Sequence, residues 1–387
     1  DEYARKYLDL VNNLPASVAA WKPQPLLESD HLGPIPRTNV SIKISALSAR
    51  CDPIDTDGSI RDLMTRLVPI LNAAKGKGVH VHFDMEHHAL KDLTIELFQR
   101  CMEQVDFTGG LVLQAYLRSG PEDAQRIIDW TRRTGKVITI RLVKGAYWDA
   151  ETIKSEMHGW PNPVWAQKWQ TDACFERMTA MFLDACPSAS GSPQRGVAGG
   201  IKLALGSHNV RSIGAALAGL EARGLPRTAI ELQMLHGMAD QLKFAAGEMG
   251  LRVREYVPVG DMIPGMAYLV RRLLENTSNE SWLKAGFLEN ADPAALLAPP
   301  AAKPGTSQPQ DLCEIAAERH NLSPAPSGVG DDRAFVNESM RDFAEKRQRD
   351  AFAAAIARAT VPKVPNDRTP EHAARMVGQA TAAFPAW

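Results

Sequence analysis

Apolar residues recur along this chain in short, dense runs separated by longer amphipathic stretches. Runs at 40–47, 79–85, 111–117, 137–143, 201–205, 230–235 and 253–257 are rich in β-branched residues and nearly continuous in apolar character. Strands covered on both faces read this way. Between them, 59–75, 90–104, 121–133, 164–185, 211–222, 239–248 and 264–276 carry apolar residues at helical spacing. Strands alternating with helices predict a parallel sheet. Seven βα units can be traced this way, whereas a closed barrel needs eight. The chain opens on a helical pattern, Tyr3-Ala4-Arg5-Lys6-Tyr7-Leu8, so an eighth strand is expected upstream of Asp1. The expected fold is therefore α/β, a (βα)8 TIM-like barrel whose first strand is missing from the sequence. An open doubly wound sheet is the alternative, but no GxGxxG follows a strand. Gly196-Val197-Ala198-Gly199-Gly200 precedes a strand instead of opening a helix and reads as a loop.

Three regions are expected: a barrel over 1–290, a linker rich in Pro and Ala over 291–310, and a helical segment over 311–387. In the last, helical patterns fall at 311–319, 338–359 and 369–383, with Thr369 as a cap and Pro370 at the first helical position. Composition adds little: 387 residues, 44% hydrophobic and 23% charged, suit a globular protein, and a net charge of −1 gives no basic field for nucleic acid. Five scattered cysteines, Cys51, Cys101, Cys174, Cys186 and Cys313, form no CxxC pair and read as reduced thiols in a cytoplasmic protein. No apolar run approaches the roughly 20 residues of a membrane helix. Asp1 at the start and Phe384-Pro385-Ala386-Trp387 at the end read as mid-domain sequence, so a fragment is expected.

In a barrel, chemistry sits at the carboxyl ends of the strands. Here those ends carry polar groups that a buried strand should lack: Lys43; Asp84 and Glu86; Gln114; Arg141 and Lys144; Ser207-His208-Asn209; Gln233 and His236; Tyr256. Any one of them reads equally well as a hydrogen-bonded interior group. The same departure at seven strand ends points to a site. A buried cation needs a partner, and Asp84 is the natural one for Lys43. In Tyr268-Leu269-Val270-Arg271-Arg272-Leu273-Leu274-Glu275-Asn276, helical spacing puts Tyr268, Arg271, Arg272 and Glu275 on one face. A solvated face with an Arg–Glu pair is one reading. The other is a clamp for a small amino acid's carboxylate, which the Arg fork binds bidentately.

Several of these segments together resemble the proline dehydrogenase domain of the bifunctional bacterial enzyme proline utilization A. They are Ser41-Ile42-Lys43-Ile44-Ser45-Ala46-Leu47, the stretch 141–149, Leu235-His236-Gly237-Met238, Tyr256-Val257-Pro258-Val259-Gly260 and the stretch 268–276. The resemblance runs over about 1–290. It implies a distorted (βα)8 barrel with non-covalent FAD, oxidising L-proline to Δ1-pyrroline-5-carboxylate and passing electrons to a membrane quinone. By motif, Lys43, Arg271 and Arg272 would hold the proline carboxylate and Asp84 would position Lys43. Leu235, Tyr256 and Tyr268 would close over the ring. Gln114, Arg141, Val143, Lys144, Gly145, Ala146, Trp148, His208, Asn209, Gln233 and Glu275 would contact FAD. A flavin that gains hydride accumulates negative charge, which a cation such as Arg141 stabilises. The clamp would act by orientation, with no dominant acid–base group. Quinone as acceptor implies peripheral contact with the inner membrane, although no strongly basic amphipathic helix is visible.

The sequence departs from that family at three places. The family's first strand, with an Asp-Met-Leu-Gly-Glu segment, is not found. Asn162-Pro163-Val164-Trp165-Ala166-Gln167-Lys168 stands where the family often has Thr-Arg. The aldehyde dehydrogenase partner is reduced to a faint likeness to its opening helix over 369–387, the truncated start of that domain, and the DNA-binding module is not visible. Two other functions stay open. His80, His82, His208 and His236 could ligate zinc in a metal-dependent barrel hydrolase, although this leaves Arg271 and Arg272 unexplained. A barrel that has lost its chemistry, docking a partner through 311–359, should have shed some of the strand-end polar set.

Overall fold

The structure is a computed structural model that describes residues 2–187, 199–261, 263, 265–266, 268–271, 292–301, 340–360 and 369–383. Seven parallel strands form one sheet in sequence order: β1 (Thr38–Ile42), β2 (Val79–Phe83), β3 (Gly109–Gln114), β4 (Val137–Val143), β5 (Gly200–Gly206), β6 (Ile230–Leu235) and β7 (Val253–Tyr256). The sheet curls. Tyr256 at the end of β7 reaches Asp84 beyond β2, and Arg141 of β4 reaches Ser41 of β1. Among the described residues β1 and β7 share no ladder, so the sheet is a half-barrel of seven strands and the count of eight remains an expectation.

Alternation along each strand sorts the residues. In β2, Phe83 packs edge-on against Phe98, 5.3 Å between ring centroids, while His80, His82 and Asp84 face the inside of the curl. The outer core lies between the sheet and its helices: α1 (Glu2–Ala19), α2 (Thr56–Lys77), α3 (Lys91–Gln104), α4 (Gly120–Thr134), α5 (Trp148–His158), α6 (Lys168–Asp184), α7 (Val210–Ala222) and α8 (Asp240–Glu248). Local chemistry fixes their ends. The Asp55 side chain accepts the Gly58 N–H at the start of α2, and Gly78 closes α2 in the left-handed region, φ 64°.

The inside of the curl is polar at its amino end. Glu231 accepts from Arg252 Nε at 3.0 Å and Arg254 Nε at 2.8 Å. A two-residue antiparallel hairpin, Ser29–Asp30 with Gly33–Pro34, covers that end. It is held by Lys202 to Asp30 at 2.6 Å and by Arg252 to the Ser29 carbonyl at 2.9 Å. A cavity of about 310 Å³ lies there, lined in part by Asn39, His80, Lys202 and Arg254.

Several boundaries differ from the expected ones: the strand expected over 111–117 is Gly109–Gln114, the helix expected over 338–359 is Lys346–Arg358, and two further differences have a visible cause. The first strand stops at Ile42, and Ile44–Leu47 is a single helical turn. Lys43 donates its N–H to the Tyr7 hydroxyl instead of to a ladder, and Ile44 and Leu47 bury together at i, i+3. The helix expected from Val164 begins at Lys168, because Val164 bridges Leu117 and Gln167 and Gln170 form a capping box. Helix α5 was not anticipated; its exposed face carries Trp148, Ile153 and Met157, which blurs the amphipathic pattern. Beyond the barrel, Lys346–Arg358 and Pro370–Ala383 are helical, and the Thr369 hydroxyl accepts the His372 N–H as the expected cap. The helical pattern at 311–319, residues 196–198 of the glycine-rich stretch and Cys313 lie outside the described residues. No described helix is long and apolar enough to cross a membrane.

Phe98 is fully buried between Phe83 and Trp130. Phe98→Ala should lower the unfolding free energy by about 3–5 kcal/mol, read by chemical denaturation. A loss below 1 kcal/mol would mean that the outer core is not organised around this ring.

Candidate active site

Asp84 leaves the end of β2 pointing into the curl, nine-tenths or more buried. Three donors converge on its carboxylate: Lys43 Nζ at 2.5 Å, Arg141 Nη2 at 3.0 Å and the Tyr256 hydroxyl at 3.0 Å. Burial alone would raise its pKa; Arg141 and then Lys43 outweigh it and hold the group below the usual carboxylate range. Tyr256 moves the other way. Burial and the adjacent Asp84 charge push its phenol well above 10, so it remains a donor. Arg141 also donates to Ser41 at 2.8 Å and lies 5.2 Å from the Tyr256 ring centroid. One carboxylate thus ties together the ends of β1, β2, β4 and β7.

The neighbouring Glu86 fixes the turn after β1, accepting the Ser45 N–H at 3.1 Å and pairing with the Ser45 hydroxyl. Gln114 donates to the Glu86 carbonyl at 3.2 Å, while its Oε1 is buried without a hydrogen-bond partner. Arg141 Nε is likewise buried and unpartnered. Among the described residues neither atom has a partner, which leaves both available to a ligand or water.

The wall beside them is built from small residues. Gly145 adopts φ +136°, and a Cβ there would sit 2.3 Å from the Tyr116 ring. A Cβ on Gly206 would meet Val143 at 2.7 Å. Gly145 and Ala146 are exposed at this end, and Lys144, pairing with Asp172 and lying 5.7 Å from the Phe175 ring centroid, flanks them. Burial lowers the Lys144 pKa despite Asp172. Trp148 donates to the Trp165 carbonyl at 2.7 Å. His208 accepts the Leu235 N–H at 3.2 Å, Asn209 caps α7 through Ser212, and Gln233 donates to Glu231 at 2.8 Å.

Tyr268 and Arg271 stand one helical turn apart, while Arg272 and Glu275 lie outside the described residues. Arg271 Nη1 donates to the Tyr147 hydroxyl at 3.0 Å, its guanidinium carbon lies 5.4 Å from that ring's centroid, and its Nε is buried and unpartnered among the described residues. Tyr147 escaped the sequence reading because it looks like one more aromatic after β4. Glu231, Arg252 and Arg254 escaped it because their mutual pairing depends on strand register.

The four histidines weighed as metal ligands are dispersed. His80 and His82 lie inside the curl with ring centroids 4.6 Å apart, and His236 pairs with Glu255 near the surface. Among the described residues no three His, Cys, Asp or Glu side chains are grouped to hold a metal ion.

A curled parallel sheet whose carboxyl end gathers cations around one buried carboxylate defines an α/β-barrel enzyme site. The chain belongs to the proline dehydrogenase family, whose model matches residues 1–285. It is 32% identical over 252 residues to "Bifunctional protein PutA" of Rhizobium meliloti, covering 63% of this chain and 19% of that protein. It is 26% identical over 245 residues to "Proline dehydrogenase 1" of Bacillus subtilis, covering 63% of this chain and 70% of that protein. The crystal structure of proline utilization A from Bdellovibrio bacteriovorus, inactivated by N-propargylglycine, superposes with a TM-score of 0.78 at 39% identity, over 92% of this chain and 34% of that one. The chain therefore spans about a fifth of the bifunctional relative's length.

The interior histidines give a pH prediction. Burial, then Arg254, lowers His80 to about 3, and burial, then Arg141, holds His82 well below 6.5. The unfolded chain takes up these protons near pH 6.5, whereas the folded chain does not until far lower. Stability is full above pH 6.5 and falls as pH drops toward 3, by up to about 1.4 kcal/mol per pH unit for each imidazole. His80→Phe should make the melting temperature depend less steeply on pH between 6.5 and 4. An unchanged slope would show that His80 titrates normally.

Proposed function

We propose that this chain oxidises L-proline to Δ1-pyrroline-5-carboxylate with FAD as its cofactor. The observation that carries the reading is a set of buried polar atoms at the carboxyl end with no partner among the described residues: Arg271 Nε as a carboxylate donor, and Arg141 Nε with Gln114 Oε1 as partners for a flavin's polar edge. Lys43, Arg271 and Arg272 hold the proline carboxylate, and Asp84 fixes the Lys43 ammonium through its 2.5 Å contact. Leu235, Tyr256 and Tyr268 close over the ring and exclude water. Gln114, Arg141, Val143, Lys144, Gly145, Ala146, Trp148, His208, Asn209, Gln233 and Glu275 form the flavin side. Gly145 lets the loop after β4 pack against Tyr116, since a Cβ there would strike that ring, and its positive φ holds the loop in the shape that carries Lys144 and Ala146. FAD, when bound, supplies at its N5 the acceptor for the hydride that leaves the proline ring carbon. Arg141 places a fixed positive charge where negative charge develops.

Electrons pass on to a quinone at the inner membrane, touched peripherally by an otherwise cytoplasmic protein. The product passes to an aldehyde dehydrogenase domain of the parent protein. Two variants test the site. Arg271→Lys keeps the charge and removes the fork, so kcat/KM for L-proline should fall roughly 10- to 100-fold, mainly through KM, for a loss of about 1.5–3 kcal/mol. Gly145→Ala should abolish flavin retention, measured as the absorbance ratio of the purified protein. Unaltered kcat/KM in the first, or full flavin content in the second, contradicts the assignment.

A further inference from the structure

His87 belongs to the segment that leaves β2 through Asp84 and Glu86, and Tyr147 directly precedes α5. The two meet although β3 separates their strands. Their ring centroids lie 4.3 Å apart, with planes inclined at 40°. Glu151, one turn into α5, is buried and accepts the His88 N–H at 2.7 Å. Its carboxylate lies 3.7 Å from His87 Nδ1. Burial would raise the Glu151 pKa, but the His87 and His88 contacts outweigh it and keep the group ionised. From outside, Glu345 lies 3.6 Å from His88 Nε2, and the Trp160 indole donates to the Met340 carbonyl, which seats residues 340–345 against this bracket.

Tyr147 is thus held by His87 and in turn holds Arg271, through the 3.0 Å hydroxyl contact and the ring. We propose that His87, packed against the Tyr147 ring and anchored through Glu151, is a positioning residue for the Arg271 arm of the carboxylate clamp. His87 contacts Tyr147 and Glu151, not the reacting atoms, so its effect belongs to substrate binding. A clamp that acts by orientation tolerates little displacement of its guanidinium. Losing one ring contact removes a modest, measurable part of that hold.

The test uses the full chain. His87→Ala should raise KM for L-proline about fivefold, with kcat within about twofold of wild type. His87→Phe, which restores a ring against Tyr147, should return KM to within about twofold. If His87 acts through Tyr147, the double variant with Tyr147→Ala should bind no worse than Tyr147→Ala alone. A KM unchanged in His87→Ala, or an effect that adds in full to that of Tyr147→Ala, overturns the proposal. Because the inference rests on the clamp taking a proline-like carboxylate, calorimetric binding of cyclopentanecarboxylate is measured beside turnover. Binding that weakens in His87→Ala, with no proline oxidation by wild type, sinks the substrate assignment and keeps the positioning role. Wild-type oxidation with equal binding by both proteins does the reverse, and a wild type that neither binds nor turns over overturns both.

Discussion

A buried carboxylate is costly unless its charge is met on the spot, and Asp84 is met from three strands at once. Lys43, Arg141 and Tyr256 come from far apart in the chain, and each is itself a poor candidate for burial. Asp84 is the one member whose loss would leave the others unmatched, since Lys43 and Arg141 share its single negative charge. The curl of the sheet and the placement of the site are therefore one constraint seen from two sides. Loss of the Asp84 carboxylate costs more than its hydrogen bonds, because two like charges then face each other in a low-dielectric interior.

The same economy organises the other end of the curl. Glu231 is shared by Arg252 and Arg254, which hold it down to about 2, and Lys202 secures the hairpin through Asp30. Between these two charged layers sit the neutral imidazoles of His80 and His82. Among the described residues both ends leave buried polar atoms without partners: His80 Nε2 and His82 Nε2 beside the amino-end cavity, and Arg141 Nε, Gln114 Oε1 and Arg271 Nε at the carboxyl end. The carboxyl end adds to them the cations gathered around Asp84.

Much of this was legible in the chain. Strands at 137–143 and 230–235 fall where apolar continuity placed them, because both are bounded by turn residues and covered on both faces. The Lys43–Asp84 pair followed from the rule that buried cations need partners. Apolar continuity carries the first strand past its true end because Ile44 and Leu47 are as apolar as strand residues, and only the Tyr7 contact to Lys43 shows that the ladder has ended. Tyr147 and His87 were invisible for a related reason. Their meeting depends on two strand ends that are not neighbours in the sheet, and no local periodicity encodes such a contact. Arg272 and Glu275, legible as a helical face, lie outside the described residues and stay assigned by motif alone.

On the proposed reading this end of the curled sheet holds a flavin against a proline-like substrate. The visible absorption spectrum of the purified chain, recorded before and after anaerobic addition of L-proline, tests it most directly. Flavin bands are expected at about 380 and 450 nm, with the longer-wavelength band bleaching on addition of proline. Flavin bands that proline leaves unchanged, or a protein without them, would contradict it.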